Sequence, residues 1–203
     1  MGVFNAWCER LPLLLLGATG PVNSVRRRAW IDWIHTARDQ ASMIRGFTKW
    51  DAQPASVEDS LEALARARKI TSQKPMGPVY VVFDVALQET ALERDPVLPD
   101  LARYRPAPDP ATPAESLAEA VRLLRGAARP VILAGRVSRA VDDWDRRIRL
   151  AEALGARVIT DLKLSAAFPQ NHPLHGGPAA YRLSEADARS VREADVILSL
   201  DWL

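Results

Sequence analysis

Cysteine occurs once in the 203 residues, at Cys8, so no internal disulfide can form and a reducing compartment is the expected setting. Cys8 itself reads as a small core residue, because no His or Asn stands in a recognisable relation to it. Lysine is nearly as scarce, at 49, 69, 74 and 163 only, and the 27 basic residues are otherwise arginine. Against 25 acidic residues this leaves a formal net charge of +2. Arg26, Arg27 and Arg28 form the one tight basic run, and they lead into Ala29, Trp30, Trp33 and Ile34 at helical spacing. That is the solvated start of an amphipathic helix rather than a phosphate-binding patch, so no nucleic-acid partner is expected.

Long apolar runs are missing as well. The longest, Leu11 to Leu16 extended to Ala18, is far short of the ~20 residues that cross a bilayer, and no membrane partner is expected. Glu9 ahead of it removes the positive region of a secretory signal, and Gly17 to Pro21 reads as a turn, so a cytoplasmic location is expected. Glycine motifs are absent too. The turn Ala134 to Ser138 holds one glycine where a dinucleotide fingerprint needs three, and no P-loop occurs.

What is present is an ordinary globular composition, 48% hydrophobic and 26% charged, arranged as two α/β blocks. Between them, six of the 15 prolines fall at 96, 99, 106, 108, 110 and 113, the mark of a linker held extended by fixed φ. The expected divisions are 1–93, a linker over 94–111, and 112–203. In the first block Leu11 to Leu16 reads as a strand buried on both faces. Arg26 to Ile34 reads as a short helix, and Ser56 with Asp59 starts another that buries Val57, Leu61, Leu64, Ala65 and Ile70. Val79 to Val85 is β-branched and aromatic enough for a second buried strand. Two strands make a thin sheet, and the amino-terminal part of this domain is expected to lie outside the chain.

The second block alternates cleanly. Thr112, Pro113 and Glu115 suggest a helix cap, a first-turn proline and a third-position acid. A strand follows over Val131 to Ala134. A helix from Val141 to Leu154 stops at Gly155, and a strand runs over Val158 to Thr160. Ser184 with Asp187 starts a further helix before the strand Val196 to Leu200. The fold class is α/β: two parallel-sheet domains, the second Rossmann-like and expected to continue past the chain's end.

Few residues promise chemistry. His172 and His175 flank Pro173 and lack further metal ligands, which favours an ordinary loop. Asp142 with Asp143, and Glu193 with Asp195, fall on expected helical surfaces and read as solvated. His35 stands out, because it follows a helix at the head of a polar loop, where binding groups usually lie.

Asn5-Ala6, Glu9 to Pro12, the Leu-rich strand to Gly17, Gln40 to Arg45, Thr48-Lys49 and Gly77-Pro78-Val79 together resemble the pyrimidine-binding domain of thiamine diphosphate enzymes of the acetolactate synthase, benzoylformate decarboxylase and pyruvate oxidase type. The second block, through Arg129 to Gly135, Leu154 to Thr160, Phe168-Pro169, His172-Pro173 and Ala194 to Leu198, is similar to that family's central domain. The resemblance implies a 2-oxo acid decarboxylase, synthase or carboligase working as a homodimer or homotetramer with thiamine diphosphate and Mg²⁺, whose ylid adds to a substrate carbonyl. It also implies that this piece is inactive alone. The family's glutamate lies ahead of its asparagine-alanine segment, and its Gly-Asp-Gly and Asn-Asn motifs occur nowhere here, so no cofactor or metal residue can be named. By the same likeness, His35 is expected to be catalytic, with Thr36 and Gln40 toward substrate. The alternative is a non-catalytic module binding FAD or ADP, or serving assembly, through the central domain.

Overall fold

A computed structural model describes residues 1–202. The chain divides into two compact units, Met1–Asp109 and Pro110–Leu203.

The first unit begins with helix α1 (Gly2–Cys8), strand β1 (Leu14–Thr19) and a short helix α2 (Ile31–His35). Strand β2 (Trp50–Ala52), helix α3 (Val57–Ser72), strand β3 (Val79–Asp84) and the single turn α4 (Val85–Gln88) complete it. All three strands run parallel in the order β1-β3-β2, with Leu14 opposite Val79 and Thr19 opposite Asp84. β3 is central and its Val79, Val81 and Val82 are fully buried, as its unbroken apolar run from Val79 to Phe83 requires. β1 is different from the expected doubly buried strand. It starts three residues later and lies at the sheet edge, with Leu16 60% exposed.

The helix expected over Arg26 to Ile34 splits into a 3-10 turn, Ser24–Arg26, and α2, and Trp30, Trp33 and Ile34 are exposed. α3 starts where expected, with the Ser56 hydroxyl accepting from the Asp59 amide at 3.0 Å. Its buried face is alanine more than leucine: Ala63 and Ala67 meet Val79 and Val81. Small side chains let the helix lie close on the sheet. At its other end Lys49 donates to the carbonyls of Ile70 and Gln73, at 2.5 and 2.6 Å, satisfying groups that a helix end leaves bare. The proline-rich stretch is not simply extended. It contains a 3-10 turn, Leu101–Tyr104, and Ala107 donates to the Gln73 side chain.

The second unit holds helix α5 (Ala114–Gly126), strand β4 (Pro130–Ala134), helix α6 (Val141–Leu154) and strand β5 (Arg157–Thr160), then helix α7 (Glu185–Glu193) and strand β6 (Val196–Leu200). Its parallel sheet has the order β5-β4-β6. Ile132, Ala134, Ala151, Val158 and Phe168 form its core. α5 begins one residue later than expected, with Pro113 rather than Thr112 at the cap and no side-chain cap bond. Asp195 is not merely solvated: its carboxylate accepts from the amides of Ala128 and Arg129, fixing the turn into β4. Cys8 is half-buried. No helix among the described residues is long and apolar enough to cross a membrane.

Candidate functional site

Parallel strands deliver their carboxyl ends to one edge, and in open α/β sheets that edge is where ligands bind. In the first unit the chain leaves β1 through Gly20 and Pro21, and α2 returns to the same point. The Gly20 amide donates to the His35 carbonyl at 3.4 Å. A Cβ at Gly20 would fall 2.0 Å from the Thr36 hydroxyl, so only glycine lets the two segments meet this closely.

Asp32 holds α2 in place. It is 3% exposed and takes three hydrogen bonds from Arg28: the backbone amide at 2.7 Å, Nε at 3.1 Å and the terminal guanidinium nitrogen at 3.0 Å. These bonds from Arg28 hold the Asp32 carboxyl below the usual carboxylate range. The Asp32 carbonyl in turn accepts from the Thr36 hydroxyl. Arg28, Asp32 and Thr36 thus form a clamp, and His35 is carried exposed at the end of it.

Gln40 is anchored a little farther back. Its Nε2 donates to the Tyr80 hydroxyl at 2.7 Å. Tyr80 sits opposite Leu15 in the register, but its hydroxyl leans over Gly17, where a Cβ would come within 2.1 Å of it. From Gly17 to the end of β1 is about 7 Å of strand. By strand alternation Leu15, Gly17 and Thr19 share one face. Thr19 is 2% exposed, and its hydroxyl has no hydrogen-bond partner. The structure therefore sets His35 and Thr36 together at the edge, with Gln40 on the sheet face behind them.

Sequence reasoning missed Asp32, Tyr80 and Thr19. The i, i+4 spacing of Arg28 and Asp32 was a usable signal for the clamp. Nothing local announces that Tyr80 reaches Gln40 across forty residues.

In the second unit the strand order reverses between β4 and β6, and that switch point is bridged by the chain itself. The Gly135 amide donates to Leu200, the Arg136 amide to Asp201, and the Arg136 guanidinium pairs with the Asp201 carboxylate at 2.8 Å. His172 and His175 serve the loop that contains them. His175 Nε2 lies 3.1 Å from the Thr160 hydroxyl and its ring stacks on Phe168, while His172 meets Glu152 at 3.3 Å. Asp187, 2% exposed, ties Arg157, Ser184 and the Gly177 amide together at 2.7–2.9 Å.

Among the described residues no three His, Cys, Asp or Glu side chains converge to hold a metal ion. Their donor set does not fit a Mg²⁺–diphosphate cradle, and no step is assigned to one.

Residues 117–200 match the family model for the thiamine pyrophosphate enzyme central domain. The chain is 32% identical over 173 residues to a sulfoacetaldehyde acetyltransferase of Rhodobacter capsulatus, covering 80% of this chain and 26% of the relative. An X-ray structure named as a thiamin diphosphate-dependent enzyme from Mycobacterium smegmatis superposes with a TM-score of 0.66 at 26% identity, over 97% of this chain and 36% of that one. Residues 117–200 thus carry the thiamine pyrophosphate enzyme central domain, and the chain is similar to thiamine diphosphate-dependent enzymes over most of its length. Other relatives include a sulfoacetaldehyde acetyltransferase of Alcaligenes xylosoxydans xylosoxydans, 44% identical over 85 residues, 42% of this chain and 14% of the relative. The acetolactate synthase large subunit of Corynebacterium glutamicum is 29% identical over 168 residues, 79% and 26% respectively. The chain spans about a quarter to a third of the length of the longer-matching curated relatives.

Proposed function

We propose that this chain forms part of a thiamine diphosphate-dependent lyase or transferase acting on a 2-oxo acid, with 1–93 as the pyrimidine-binding part, 94–111 as linker and 112–203 as the central domain. The carrying observation is the seating of His35 and Thr36 at the carboxyl end of β1 by Gly20 and Asp32, in a chain similar to these enzymes. The names of the relatives, an acetyltransferase and an acetolactate synthase, support the transferase side of the class.

When bound, thiamine diphosphate supplies the nucleophilic carbon and electron sink. In this reading the chain's own contribution is placement. His35 faces the substrate, where its ring nitrogens can donate or accept a hydrogen bond. Thr36 is fixed by its bond to the Asp32 carbonyl, and Gln40 is held by Tyr80 with its amide oxygen left to accept from substrate. Mg²⁺ and the diphosphate fall to residues other than these, and the working protein is a homodimer or homotetramer. The nucleotide-module alternative has less support, because the switch-point crevice of the second unit is crossed by the Arg136–Asp201 pair.

The test is turnover of pyruvate by the enzyme containing this chain, with thiamine diphosphate and Mg²⁺ added. His35→Ala is expected to lower kcat/KM by about tenfold or more, whereas an unchanged value removes His35 from the reacting centre. The 203 residues alone are expected to release no CO₂ from pyruvate. Turnover by them would overturn the assignment of the missing machinery to other residues.

A further inference from the structure

The turn that leads into α2 is strained. Trp30 has φ +51° and ψ −49°, and the Ile31 amide donates back to the Ala29 carbonyl at 2.6 Å, which closes a three-residue γ-turn. This is the rare hand of that turn, in which the Cβ of an L residue crowds its own backbone and only glycine sits without strain. Burial of Trp30 does not offset the strain, since its side chain is 70% exposed. Bonds made by other residues must hold the turn.

Those bonds come from its two flanks. Arg28 and Asp32 stand two positions before and after Trp30, and the three hydrogen bonds between them close the backbone around it. The ring is anchored to the sheet. A second Arg28 nitrogen, Nη1, meets the carboxylate of Glu89, the residue after α4, at 3.3 Å. Asp84 at the end of β3 accepts from the Val22 amide at 2.8 Å and the Ala86 amide at 2.7 Å, so the segment between β1 and the turn is tied to the same place.

α2 begins at Ile31, immediately after the strained residue, and its direction depends on that turn. Five residues are too few for a helix to hold itself. Core packing does not orient it either: of its side chains only Asp32 is buried, and Trp33 and Ile34 face outward. Yet α2 must arrive accurately, because its end brings the His35 carbonyl to the Gly20 amide and the Thr36 hydroxyl beside Gly20.

We infer that Asp32, with Arg28, is a positioning residue: it clasps the strained turn at Trp30, and the turn aims α2 and so places His35 and Thr36, a role that rests on the reading of His35 as facing substrate. Without the clasp Trp30 relaxes to an ordinary negative φ, α2 swings, and His35 leaves Gly20.

The test is Asp32→Ala in the enzyme containing this chain, read in two ways. Hydrogen–deuterium exchange of the peptide that holds Gly20 should quicken by about tenfold as its amide loses the His35 carbonyl, while slow exchange in β3 shows the fold intact. With thiamine diphosphate, Mg²⁺ and pyruvate, kcat should fall by about tenfold and KM move by less than about twofold, the mark of a reacting group misplaced. Arg28→Gln, at a half-exposed side chain that makes two of the three bonds, should act in the same direction and takes the place of Asp32→Ala if β3 loosens. Trp30→Gly added to Asp32→Ala gives the signature that general destabilisation would not. Glycine adopts the turn unaided, so the double variant should regain about threefold or more in kcat and slow the Gly20 exchange again. A double variant no better than Asp32→Ala, or unaltered Gly20 exchange in Asp32→Ala, would overturn the clasp. Full kcat in Asp32→Ala beside an impaired His35→Ala would overturn it too and leave the His35 reading standing. Full turnover in His35→Ala, with Gly20 exchange still quickened by Asp32→Ala, would remove the His35 reading and keep the clasp as what seats α2.

Discussion

Side chains on the first sheet face gain their positions from single bonds that cross long stretches of sequence. Tyr80 is the clearest case, being 8% exposed and reaching over Gly17 to accept a hydrogen bond from Gln40. Removing its hydroxyl leaves a half-buried amide without its partner while the aromatic packing survives. Tyr80→Phe is therefore expected to cost the first unit about 1 kcal/mol, measured by urea unfolding. Gln40→Ala alone should cost a similar amount, and the double variant should cost less than the sum, since both remove one bond. Additive losses would show that Gln40 is held by something else. Of the three residues singled out in the sequence, His35 and Thr36 could be placed by their loop because α2 and β1 are near neighbours in the chain. Gln40 could not be given a partner, because its bond depends on how β3 registers against β1.

At the scale of elements, legibility follows the strength of the local signal. β3, α6, α7 and β6 can be read directly, each having either an apolar run that includes β-branched residues or a side-chain or glycine cap. Gly155 is a case in point: it ends α6 at φ +58°, and a Cβ placed there would meet nothing within 4 Å. Gly155→Ala thus meets no clash and incurs only the backbone strain of the left-handed region, about 1 kcal/mol. Gly155→Asn should cost less, because asparagine tolerates that region. A thermal melt of the second unit's near-ultraviolet signal checks the order Gly, Asn, Ala.

β2 gives no signal of its own, since three residues are too few to show alternation. β1 lies later than expected because Leu11 to Leu16 is uniformly apolar and only pairing with β3 decides which of them join the sheet. The α2 region departs from expectation for a further reason. Trp30 sits at φ +51°, outside helical geometry, and breaks a segment whose apolar spacing alone looks continuous.

At the scale of the molecule the two units differ in how they meet acid. In the second, burial holds the His175 imidazole below its ordinary value, so above pH ~6.5 both folded and unfolded chains carry it neutral. As the pH falls below that, the unfolded chain takes up the proton first and stability drops. Asp187 adds to this at lower pH. Burial raises its carboxyl, but the bonds from Ser184, Arg157 and Gly177 outweigh that and hold it below the usual range. Its stabilisation is present above the unfolded carboxylate value of about 3.9 and is lost as pH falls through the lower folded value. Asp32 and Asp39 in the first unit, also depressed, act only in that lower window. The second unit is expected to weaken first on acidification, between about pH 6.5 and 5, as read by exchange of β4 amides against β3 amides. His175→Gln should flatten that early slope, and a persistent slope in the variant would shift the cause elsewhere.

The two strand orders also imply different histories during synthesis. In the first unit the central strand of the three, β3, is the last to be made, so neither β1 nor β2 can take its place beside it until then. The pairing of β1 and β2 with β3 must therefore wait until Asp84 is free. In the second unit the central strand, β4, comes first. β5 and then β6 can dock on it as each appears, so that sheet grows in the order in which it is translated.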